Sequence, residues 1–461
     1  MIMTKFQSYS EAMAFLFQAV DFEKLTKYKY NIPNFNLDRM ERLLASVGNP
    51  HKGLKAVHIA GTKGKGSTAI MIASILKELG LSTGLFTSPH LVHLEERISI
   101  NGEMIPQDEV CSLLSELRPY IEEERRSNLK LSPTFFEIMT ALAFLYFSRK
   151  DVDIAVLEVG MGGRLDSTNV VCPNVSVITN IGFDHTDKLG TTLSQIAFEK
   201  AGIIKEDIPV VSSEQHPEAL SVIERTCKEK NSALQILGRD IKILNSSPLM
   251  MGTFNGIKCN IKTPAHSYKN LFLPLLGEHQ LSNCAIALGA TDVLSEQGLL
   301  KIHEGRVRHA LTTVRCPARV EVAARKPLII LDAAHTVESI KALKQALRSN
   351  FKFNRLIVLM GISKDKDIDG ILTEIVPLAD SIIFTRSDSP KAVEPDKLKE
   401  KARQFSDSEH YLSISNIKEA FNKARELTAP DDLLCITGSF YVAGKVKEIM
   451  DECNLSPNLP F

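Results

Sequence analysis

The segment Leu54–Gly80, LKAVHIAGTKGKGSTAIMIASILKELG, constrains the fold of this 461-residue chain more than any other feature. Its apolar run ends at Ala60 and predicts a buried strand, after which the loop Gly61–Ser67 contains three glycines. Apolar side chains then recur at helical spacing, at Ile72, Ile75, Leu76 and Leu79, before Gly80 supplies a helix stop. A buried strand, a glycine-rich loop and a helix in this order predict a βα unit of an α/β fold.

The rest of the chain repeats this alternation of short Val-, Ile- and Leu-rich runs with helical patterns, which is typical of a mostly parallel sheet flanked by helices. The predicted strands are Lys55–Ala60, Thr83–Thr87, Ile154–Val159, Val175–Ile181 and Pro209–Ser212, and then Leu328–Leu331, Leu356–Met360, Ser381–Phe384 and Leu433–Thr437. Between the two series, Ser282–Leu294 predicts a helix in which Gly289 is a tolerated interruption, and Gly298 marks a break after it. We therefore predict two domains, residues 1–300 and 301–461, which the chain length also favours.

The composition narrows the classes of partner. Lys and Arg together number 55, as do Asp and Glu, so the formal net charge is zero and a general nucleic-acid or membrane-surface binder is not expected. The eight cysteines form no CxxC pair and no tight cluster with histidine, which favours free thiols in a reducing compartment. The N-terminus lacks a signal-peptide pattern, and no apolar stretch reaches the length of a membrane span. We expect a cytoplasmic protein.

The glycine-rich loop has the chemistry of a phosphate-binding site. Its glycines let backbone N–H groups converge on phosphate oxygens, and the helix N-terminus adds about half a positive charge. Lys65 can reach the terminal phosphates of a nucleotide, and Ser67 or Thr68 can hold Mg²⁺. The predicted nucleotide-binding residues here are Gly61, Thr62, Gly64, Lys65, Gly66, Ser67 and Thr68. Because Gly66 separates Lys65 from Ser67, the loop departs from the strict generic motif, and a turn without a ligand is the alternative interpretation.

Further motifs follow the loop in order. LFTSPHLVHLEERISINGEMI, TFFEIMTALAFLYF, LEVGMGGRLDSTNV, VITNIGFDHTDKLG and FEKAGI begin at Leu85, Thr134, Leu157, Val177 and Phe198. LLGEHQLSNCAIAL, CPARVE, LDAAH, GISKDKD and ITGSF come later. In this order and spacing they resemble folylpolyglutamate synthase/dihydrofolate synthase, a branch of the Mur ligase superfamily. The similarity runs from about Asn36 to about Gly444, nearly the whole chain.

The resemblance implies both an architecture and a reaction. It implies an N-terminal P-loop NTPase-like domain with a parallel-rich sheet, a smaller C-terminal Rossmann-like α/β domain, and an active site in the cleft between them. It further implies a monomer in which ATP phosphorylates a carboxylate of dihydropteroate or a folate, after which the amine of L-glutamate displaces the phosphate. Such an enzyme must hold two anions together, which requires clustered cations, metal ions and amide donors.

The resemblance also implies the metal ligands. One Mg²⁺ would be held by Ser67, Ser88 and Glu158, and a second by Glu158 and His185. Hard oxygen ligands with one imidazole suit Mg²⁺ or Mn²⁺ better than zinc. For Glu158 the alternative is a carboxylate that caps the neighbouring glycine-rich turn. For His185, which follows Asp184, the alternative is a structural histidine.

Lys200 in FEKAGI matches the lysine that the superfamily converts to a carbamate, an anion that can ligate or orient Mg²⁺. An unmodified Lys200 that bridges phosphate or carboxylate groups is the alternative. The catalytic residues predicted in this way are Lys65, Glu158, His185 and Lys200.

The second domain is expected to reach the nucleotide across the cleft. Asn283 matches a residue near the adenine, Arg319 and His335 match phosphate contacts, and Asp332 matches a ribose contact. Family members commonly carry Asn, Gly, Gly and Asn where this chain has Lys63, Ala318, Ala333 and Thr336. These departures leave the charged groups in place, and the lost glycines are expected to stiffen or displace these loops.

The folate side of the site is expected near two aromatic residues. A pteridine needs a flat slot with a stacking ring and a polar partner for its amino edge, and Phe135, Phe136 and Asp166 match positions that supply them. Core packing on a helix is the alternative for either phenylalanine.

Two further residues are candidates for binding substrate carboxylates. Arg97 is one, although a surface salt bridge with Glu95 or Glu96 explains it equally well. Ser439 matches a position at which the family's C-terminal domain helps to bind the incoming glutamate.

Three other functions are weighed against this interpretation. A peptidoglycan Mur ligase usually has a UDP-binding domain of about one hundred residues ahead of the phosphate loop, whereas here 60 residues precede Gly61. A P-loop ATPase that drives motion or signalling should lack the motifs that follow Val152. A catalytically inactive scaffold should have lost Lys65, Glu158 or His185, and the chain keeps all three.

Overall fold

The protein is a mixed α/β molecule, seen here as a computed structural model that describes residues 5–25, 28, 30, 31, 34–127, 132–251, 254–406, 410–453 and 455. The first sheet has the strand order β4-β3-β2-β5-β1-β6-β7-β8. Its strands are β1 (Ala56–Ala60), β2 (Thr83–Phe86), β3 (Ile98–Ile100), β4 (Glu103–Met104), β5 (Ile154–Glu158), β6 (Val175–Ile178), β7 (Val210–Ser212) and β8 (Leu234–Ile236). The neighbouring strands β2, β5, β1, β6, β7 and β8 pair in parallel. At the edge, β3 pairs antiparallel with β2, and β4 pairs antiparallel with β3.

Helices cover both faces of this sheet, which is why β1, β5 and β6 consist entirely of buried residues. The helices are α1 (Tyr9–Leu16), α2 (Leu37–Ala45), α3 (Lys65–Glu78), α4 (Gln107–Ser127), α5 (Phe135–Arg149), α6 (Thr186–Leu189), α7 (Leu193–Ala201), α8 (Pro217–Glu229), α9 (Glu278–Glu296) and α10 (Glu304–Thr313). Val57 and Ile59 of β1 pack with α3 and α9, whereas Ala56 packs with α2, α4 and α5 on the other face. Alternate residues of a strand point to opposite faces, so one short strand supports both cores.

A small antiparallel sheet, β11-β10-β9, extends the first core. Its strands are β9 (Lys242–Met251), β10 (Phe254–Lys262) and β11 (Ser267–Leu273), and none of them was predicted. Ile257, Cys259 and Ile261 of β10 pack into the same cluster as α3 and α9. The sequence of β10 alternates apolar and polar residues because one face is buried and the other is not, so it lacks the continuous apolar run that marked the parallel strands.

The second sheet has the strand order β12-β13-β17-β14-β15-β16, parallel except for β12. Its strands are β12 (Glu321–Arg325), β13 (Leu328–Leu331), β14 (Leu356–Met360), β15 (Ser381–Phe384), β16 (Tyr411–Ser413) and β17 (Leu433–Thr437), and its helices are α11 (Val337–Asn350), α12 (Ile368–Ile375), α13 (Pro395–Ala402), α14 (Ile417–Leu427) and α15 (Phe440–Glu452). The bounds predicted for β13, β14, β15 and β17 are confirmed, as is the α/β class with two major sheets.

Helix α10 lies after residue 300 and packs on the first core. Val307, Ala310 and Leu311 belong to the cluster that contains α3, and Ser74 of α3 donates a hydrogen bond to the Ala310 carbonyl oxygen at 3.2 Å. The division of the chain at residue 300 stays a prediction, and this packing favours a boundary that follows α10. Among the described residues, no helix is both long enough and apolar enough to cross a membrane.

Helix α15, which packs on the second sheet, closely approaches the loop that follows β2 of the first sheet. A Cβ atom on Gly444 of α15 would overlap the backbone carbonyl of Leu91. We expect Gly444→Ala to lower the free energy of unfolding by about 1–3 kcal/mol and to reduce activity, because α15 must move away from that loop. Gly305→Ala in α10 is the matched control, since its Cβ would meet nothing within 4 Å. Denaturant titrations and turnover of both variants measure this, and equal stability and activity of the two would contradict the close approach.

Candidate active site

A cavity of about 320 Å³ lies between the two sheets, at the carboxyl ends of β1, β5 and β6. Ligand sites in open α/β sheets form at this edge, because the loops that follow parallel strands meet there. Most of the predicted site residues line this one cavity. They are Gly61, Thr62, Gly64, Lys65, Gly66, Ser67, Ser88, Phe136, Glu158, Asp166, His185, Lys200, Arg319 and His335.

The glycine-rich loop connects β1 to α3 as predicted. Gly64 has φ +90° and precedes the first helical residue, and a Cβ there would overlap the Asn283 side chain. A Cβ on Gly61 would overlap Thr179, so close packing as well as ligand access requires the glycines. The N–H groups of Thr62 and Lys63 donate to the Asn180 carbonyl oxygen, at 2.8 and 3.3 Å. The backbone N–H groups that remain to bind an anion are therefore those of the first turn of α3, because the first N–H groups of a helix have no acceptor within the helix.

Two lysine ammonium groups converge on this loop. Lys65 Nζ donates to the Gly61 carbonyl oxygen at 3.2 Å, and Lys200 Nζ from α7 donates to the same oxygen at 2.7 Å. Lys200 is only 4% exposed. Burial lowers the pKa of Lys200 well below its usual range, and the nearby charge of Lys65 lowers it further. A neutral amine is the form of lysine that reacts with carbon dioxide, so the environment of Lys200 suits carbamate formation.

Glu158 ends β5 and faces the phosphate loop. Its Oε2 accepts a hydrogen bond from the Ser88 backbone N–H at 3.1 Å and would lie 3.3 Å from a Cβ on Gly66. Burial raises the pKa of Glu158, while the charges of Lys65 and Arg319 oppose this rise. The turn that follows β5 is instead capped by Asp166, whose Oδ2 accepts from the Met161 N–H at 3.0 Å. The Glu158 carboxylate is therefore not needed to cap this turn, and it can still accept hydrogen bonds or bind a metal ion.

His185 stands at the start of the short helix α6, in the left-handed backbone region with φ 50°. Burial lowers the pKa of its imidazole to about 4, so the ring is neutral at pH 7 and has a lone pair available for a metal. The neighbouring Asp184 forms ion pairs with Lys63 Nζ at 2.7 Å and with Lys366 Nζ at 3.2 Å. Burial opposes ionisation of Asp184, but Lys63, His185 and Lys366 outweigh it and hold the pKa of this carboxyl far below its usual range. We call the first sheet with its helices the first unit and the second sheet with its helices the second unit. Lys366 follows β14 and belongs to the second unit, so Asp184 forms ion pairs with both units.

The donors in the cavity fit Mg²⁺. Glu158 offers a buried carboxylate, Ser67 a hydroxyl group, and His185 a neutral imidazole, and all three line the same space. Among the described residues, no group of three or more His, Cys, Asp or Glu side chains could hold a metal ion by itself. Ser67, Glu158 and His185 together suit an ion that takes few protein ligands and fills its coordination shell with phosphate and water oxygens, as Mg²⁺ does.

The second unit contributes Arg319 and His335 to the cavity. His335 Nδ1 lies 2.8 Å from the Ala333 carbonyl oxygen, which can only accept, so Nδ1 carries the proton and Nε2 is free to accept. Burial lowers the pKa of His335 to about 3, with Lys63 and Lys366 adding to the effect. The Arg319 guanidinium lies over the Phe440 ring, 4.7 Å from its centroid.

The alanines that replace the family's usual glycines pack against each other. Ala318 takes φ 50°, a region that favours glycine, while Ala333 donates its N–H to the Ala318 carbonyl oxygen at 3.0 Å. Both belong to one apolar cluster with Ala443. Thr336 caps α11 by accepting the Ser339 N–H at 3.3 Å, which is the structural role of a helix-start residue.

Several predicted residues lie outside the cavity lining, namely Thr68, Arg97, Phe135, Asn283, Asp332 and Ser439. Asp332 accepts the N–H groups of Val320 and Ala334, both at 2.8 Å. Ser439 caps α15 by accepting the Tyr441 N–H at 3.1 Å. The nucleotide and glutamate contacts assigned to these residues stay predictions.

Arg97 corrects one alternative drawn from the sequence. It is 1% exposed and forms a bidentate ion pair with Glu23, at 2.8 and 2.7 Å, so a surface salt bridge with Glu95 or Glu96 is wrong. Its guanidinium lies 5.2 Å from the centroid of the buried Phe135 ring. The structure therefore separates the two phenylalanines: Phe135 packs in the core, and Phe136 lines the cavity.

Part of the lining was missed by the sequence analysis. Phe22, Tyr28 and Phe35 form an aromatic wall, with ring centroids 4.8 Å apart for Phe22 and Tyr28 and 4.9 Å apart for Phe22 and Phe35. The signal was the density of aromatic residues ahead of β1, which no strand or helix pattern explained. Lys188 and Lys391 also line the cavity and were not predicted.

The comparisons with known proteins agree with this arrangement. Residues 59–291 match the Mur ligase middle domain, and residues 318–440 match the Mur ligase, glutamate ligase domain. The chain is 35% identical to the dihydrofolate synthase/folylpolyglutamate synthase of Bacillus subtilis, over 89% of this chain and 94% of that protein.

Solved structures show the same relationship. A Mycobacterium tuberculosis folylpolyglutamate synthase complexed with ADP has a TM-score of 0.87 and 31% identity, over 96% of this chain and 98% of that one. An FPGS–AMPPCP–folate complex has a TM-score of 0.82 and 29% identity, over 96% and 100% of the two chains. The chain belongs to the Mur ligase family, in the branch of the folylpolyglutamate and dihydrofolate synthases. It is thus an ATP-dependent ligase of the type that joins glutamate to a folate.

Proposed function

We propose that this protein joins L-glutamate both to dihydropteroate and to existing folates, through an acyl phosphate made from ATP. The observation that carries the proposal is the single cavity that unites the phosphate loop, two lysines, Glu158 and His185 with Arg319 and His335 from the opposite unit. Relatives that carry both activities in their names, and solved relatives that hold ADP, AMPPCP or folate, support it.

The first chemical step is phosphoryl transfer. A carboxylate oxygen of the acceptor attacks the γ-phosphorus of ATP, a new P–O bond forms, the bond to the bridging oxygen breaks, and ADP leaves. The residues of the first turn of α3, with Lys65, hold the phosphates, and the Arg319 guanidinium lines the same cavity from the second unit and donates to them. Mg²⁺ bound by Ser67, Glu158 and His185 would neutralise charge on the transferred group.

The second step forms the amide. The glutamate nitrogen attacks the acyl carbon, loses a proton, and displaces inorganic phosphate. The acceptor must stay bound while its acyl phosphate and the glutamate, which are both anions, occupy the cavity. Orientation of this kind can lower the barrier by up to about 7–11 kcal/mol. Phe136, whose ring lies 2.5 Å from the position of a Cβ on Gly160, and the aromatic wall supply flat surfaces for a pteridine. Asp166 supplies the polar partner, although most of its acceptor capacity serves the turn.

The direct test is incorporation of labelled L-glutamate in the presence of ATP and Mg²⁺, with dihydropteroate and tetrahydrofolate offered separately. We expect both acceptors to gain glutamate, with ADP and phosphate released in equal amounts. Incorporation into only one acceptor would reduce the proposal to a single activity, and incorporation into neither would overturn it.

His185→Ala is expected to raise the Mg²⁺ concentration for half-maximal activity by at least about tenfold, because even changes around a metal ligand cost 10–100-fold in affinity. His309→Ala, on the exposed side of α10, is the matched control. A Mg²⁺ titration of each variant measures the effect. If the two titrations coincide with that of the unaltered protein, His185 is not a ligand.

A further inference from the structure

One buried cysteine beside the candidate metal site has no part in the proposed chemistry. Cys316 lies in the segment that joins α10 of the first unit to β12 of the second, and it is 6% exposed. It packs in the apolar cluster that contains α3 and α9, whereas Arg319, three residues further on, lines the cavity. Cys316 therefore stands where the first core meets the chain that leads into the active site.

Helix α3 presents one side to this segment. Ser74 of α3 donates a hydrogen bond to the Ala310 carbonyl oxygen of α10 at 3.2 Å. Ser67 lies seven residues before Ser74, so the two side chains share one side of the helix, about two turns apart. The Cys316 side chain forms a hydrogen bond with the Ser67 hydroxyl group. The chain that leaves α10 thus runs along this side of α3 towards the phosphate loop.

The direction of the bond between Cys316 and Ser67 follows from its effect on the thiol. Burial raises the pKa of the Cys316 thiol to about 11, so the thiol is uncharged at pH 7. The charge of Arg319 and the bond with Ser67 both oppose this rise, as is expected where the hydroxyl group donates to sulfur. A hydroxyl group has one proton and two lone pairs. Donation to sulfur therefore leaves both lone pairs of the Ser67 oxygen free.

The segment that carries Cys316 is held in place by the second unit. The Ala318 N–H donates to Glu321 Oε2 at 2.8 Å. The Val320 N–H donates to Asp332 Oδ2, also at 2.8 Å. The sulfur is thus an acceptor whose position depends on the connection between the two units.

We propose that Cys316 is a positioning residue for the metal ion: its sulfur accepts the Ser67 hydroxyl proton and so directs a lone pair of Ser67 Oγ into the cavity. Ser67 lines that cavity with the other candidate ligands, Glu158 and His185. A hydroxyl group that rotates freely also turns its proton towards the ion, which disfavours binding. A partner that fixes the orientation of a ligand raises metal affinity for this reason. The inference rests on the proposed function, in which Ser67 binds Mg²⁺.

Cys316→Ala tests the proposal, with Cys259→Ala as the matched control. Cys259 is 1% exposed, packs in the same cluster, and has a thiol whose pKa is raised by burial alone. The measurement is the Mn²⁺ affinity of the full chain saturated with a non-hydrolysable ATP analogue, from the electron paramagnetic resonance signal of free Mn²⁺. We expect Cys316→Ala to weaken this affinity about tenfold, the lower end of the range for partners of metal ligands, because sulfur is a weak acceptor.

Three further variants define the expected pattern. Cys316→Ser keeps an acceptor and should stay within about threefold of the unaltered protein. Cys316→Val fills the space without an acceptor and should weaken Mn²⁺ binding as Cys316→Ala does. Cys259→Ala should leave Mn²⁺ binding unchanged. Equal Mn²⁺ affinity in Cys316→Ala, Cys316→Val and the unaltered protein overturns the proposal. Tighter binding overturns it too, since the thiol would then be the donor and would occupy a lone pair of Ser67.

A double-mutant cycle separates the orientation of Ser67 from simple packing. Ser67→Ala should weaken Mn²⁺ binding, and Cys316→Ala should then have no further effect, because no hydroxyl group is left to orient. Additive losses would show that Cys316 acts through the core and not through Ser67. A merely structural role also weakens binding of the nucleotide without metal, measured in the presence of a chelator. A loss of that affinity in Cys316→Ala as large as the loss for Mn²⁺ overturns the proposal.

The failure of this inference is distinct from the failure of the proposed function. If Ser67→Ala binds Mn²⁺ as tightly as the unaltered protein, Ser67 is not a ligand and the role of Cys316 is wrong, while the ligase activity is unaffected by that result. If the unaltered protein incorporates no glutamate into any acceptor, the proposed function fails.

Discussion

A Lys65→Ala protein is expected to lose ligase turnover by at least about 10²–10³-fold while it keeps its fold, because removal of one donor to a developing negative charge costs this much. The hydrogen bond of Lys65 to its own chain is the one to the Gly61 carbonyl oxygen at 3.2 Å. The helix that Lys65 begins is anchored by the fully buried Ile72, Ile75 and Leu76, which the substitution does not touch. Steady-state turnover and denaturant unfolding of the purified variant measure the two effects separately.

Lys77→Ala provides the control for this prediction. Lys77 lies in the last turn of the same helix, is exposed, and is absent from the cavity lining. It should retain full turnover. Normal glutamate incorporation by a folded Lys65→Ala protein would rule out the assignment of the phosphate loop.

Lys200→Ala is the second substitution with a large expected effect. If Lys200 is a carbamate, the variant loses an anion at the heart of the cavity, and turnover should fall by about 10²-fold or more. In the unaltered protein, ¹³C-labelled bicarbonate should give a carbamate carbon signal that is missing from the variant. A small carboxylate such as formate should restore part of the variant's activity, because it can replace the missing anion.

Lys205→Ala is the matched control. Lys205 also has a pKa lowered by burial and also donates to a backbone carbonyl oxygen, that of Asn169 at 2.9 Å, but it does not line the cavity. It should give neither a loss of activity nor a change in the carbon signal. If Lys200→Ala loses activity but the unaltered protein shows no carbamate signal and formate restores nothing, Lys200 acts as an unmodified lysine.

Much of the fold could be predicted because it consists of buried parallel strands. Strands β13, β14, β15 and β17 are continuous apolar runs and were predicted with the bounds that the structure has. Helix α9 is longer than predicted, Glu278–Glu296, and Gly289 interrupts its pattern for a packing reason: a Cβ there would overlap Ile241. The antiparallel strands β9, β10 and β11 were missed, since half-exposed strands carry polar residues that resemble those of loops.

The site divides along similar lines. Residues in contiguous motifs, such as Lys65 in the loop and Glu158 at the end of β5, were assigned to one site through the family resemblance. They line one cavity because loops after parallel strands meet at one edge of the sheet. Partners that are far apart in sequence could not be predicted. Arg97 pairs with Glu23, and Asp184 pairs with Lys366 from the other unit, and no local pattern encodes either contact.

The central claim is that the acceptor's carboxylate becomes a phosphate anhydride before glutamate attacks it. Dihydropteroate labelled with ¹⁸O in its carboxylate tests this most directly. If an acyl phosphate forms, one carboxylate oxygen leaves with the phosphorus, and the inorganic phosphate released during ligation carries one ¹⁸O atom. Release of unlabelled phosphate during ligation, with the displaced heavy oxygen lost to water instead, would contradict the account.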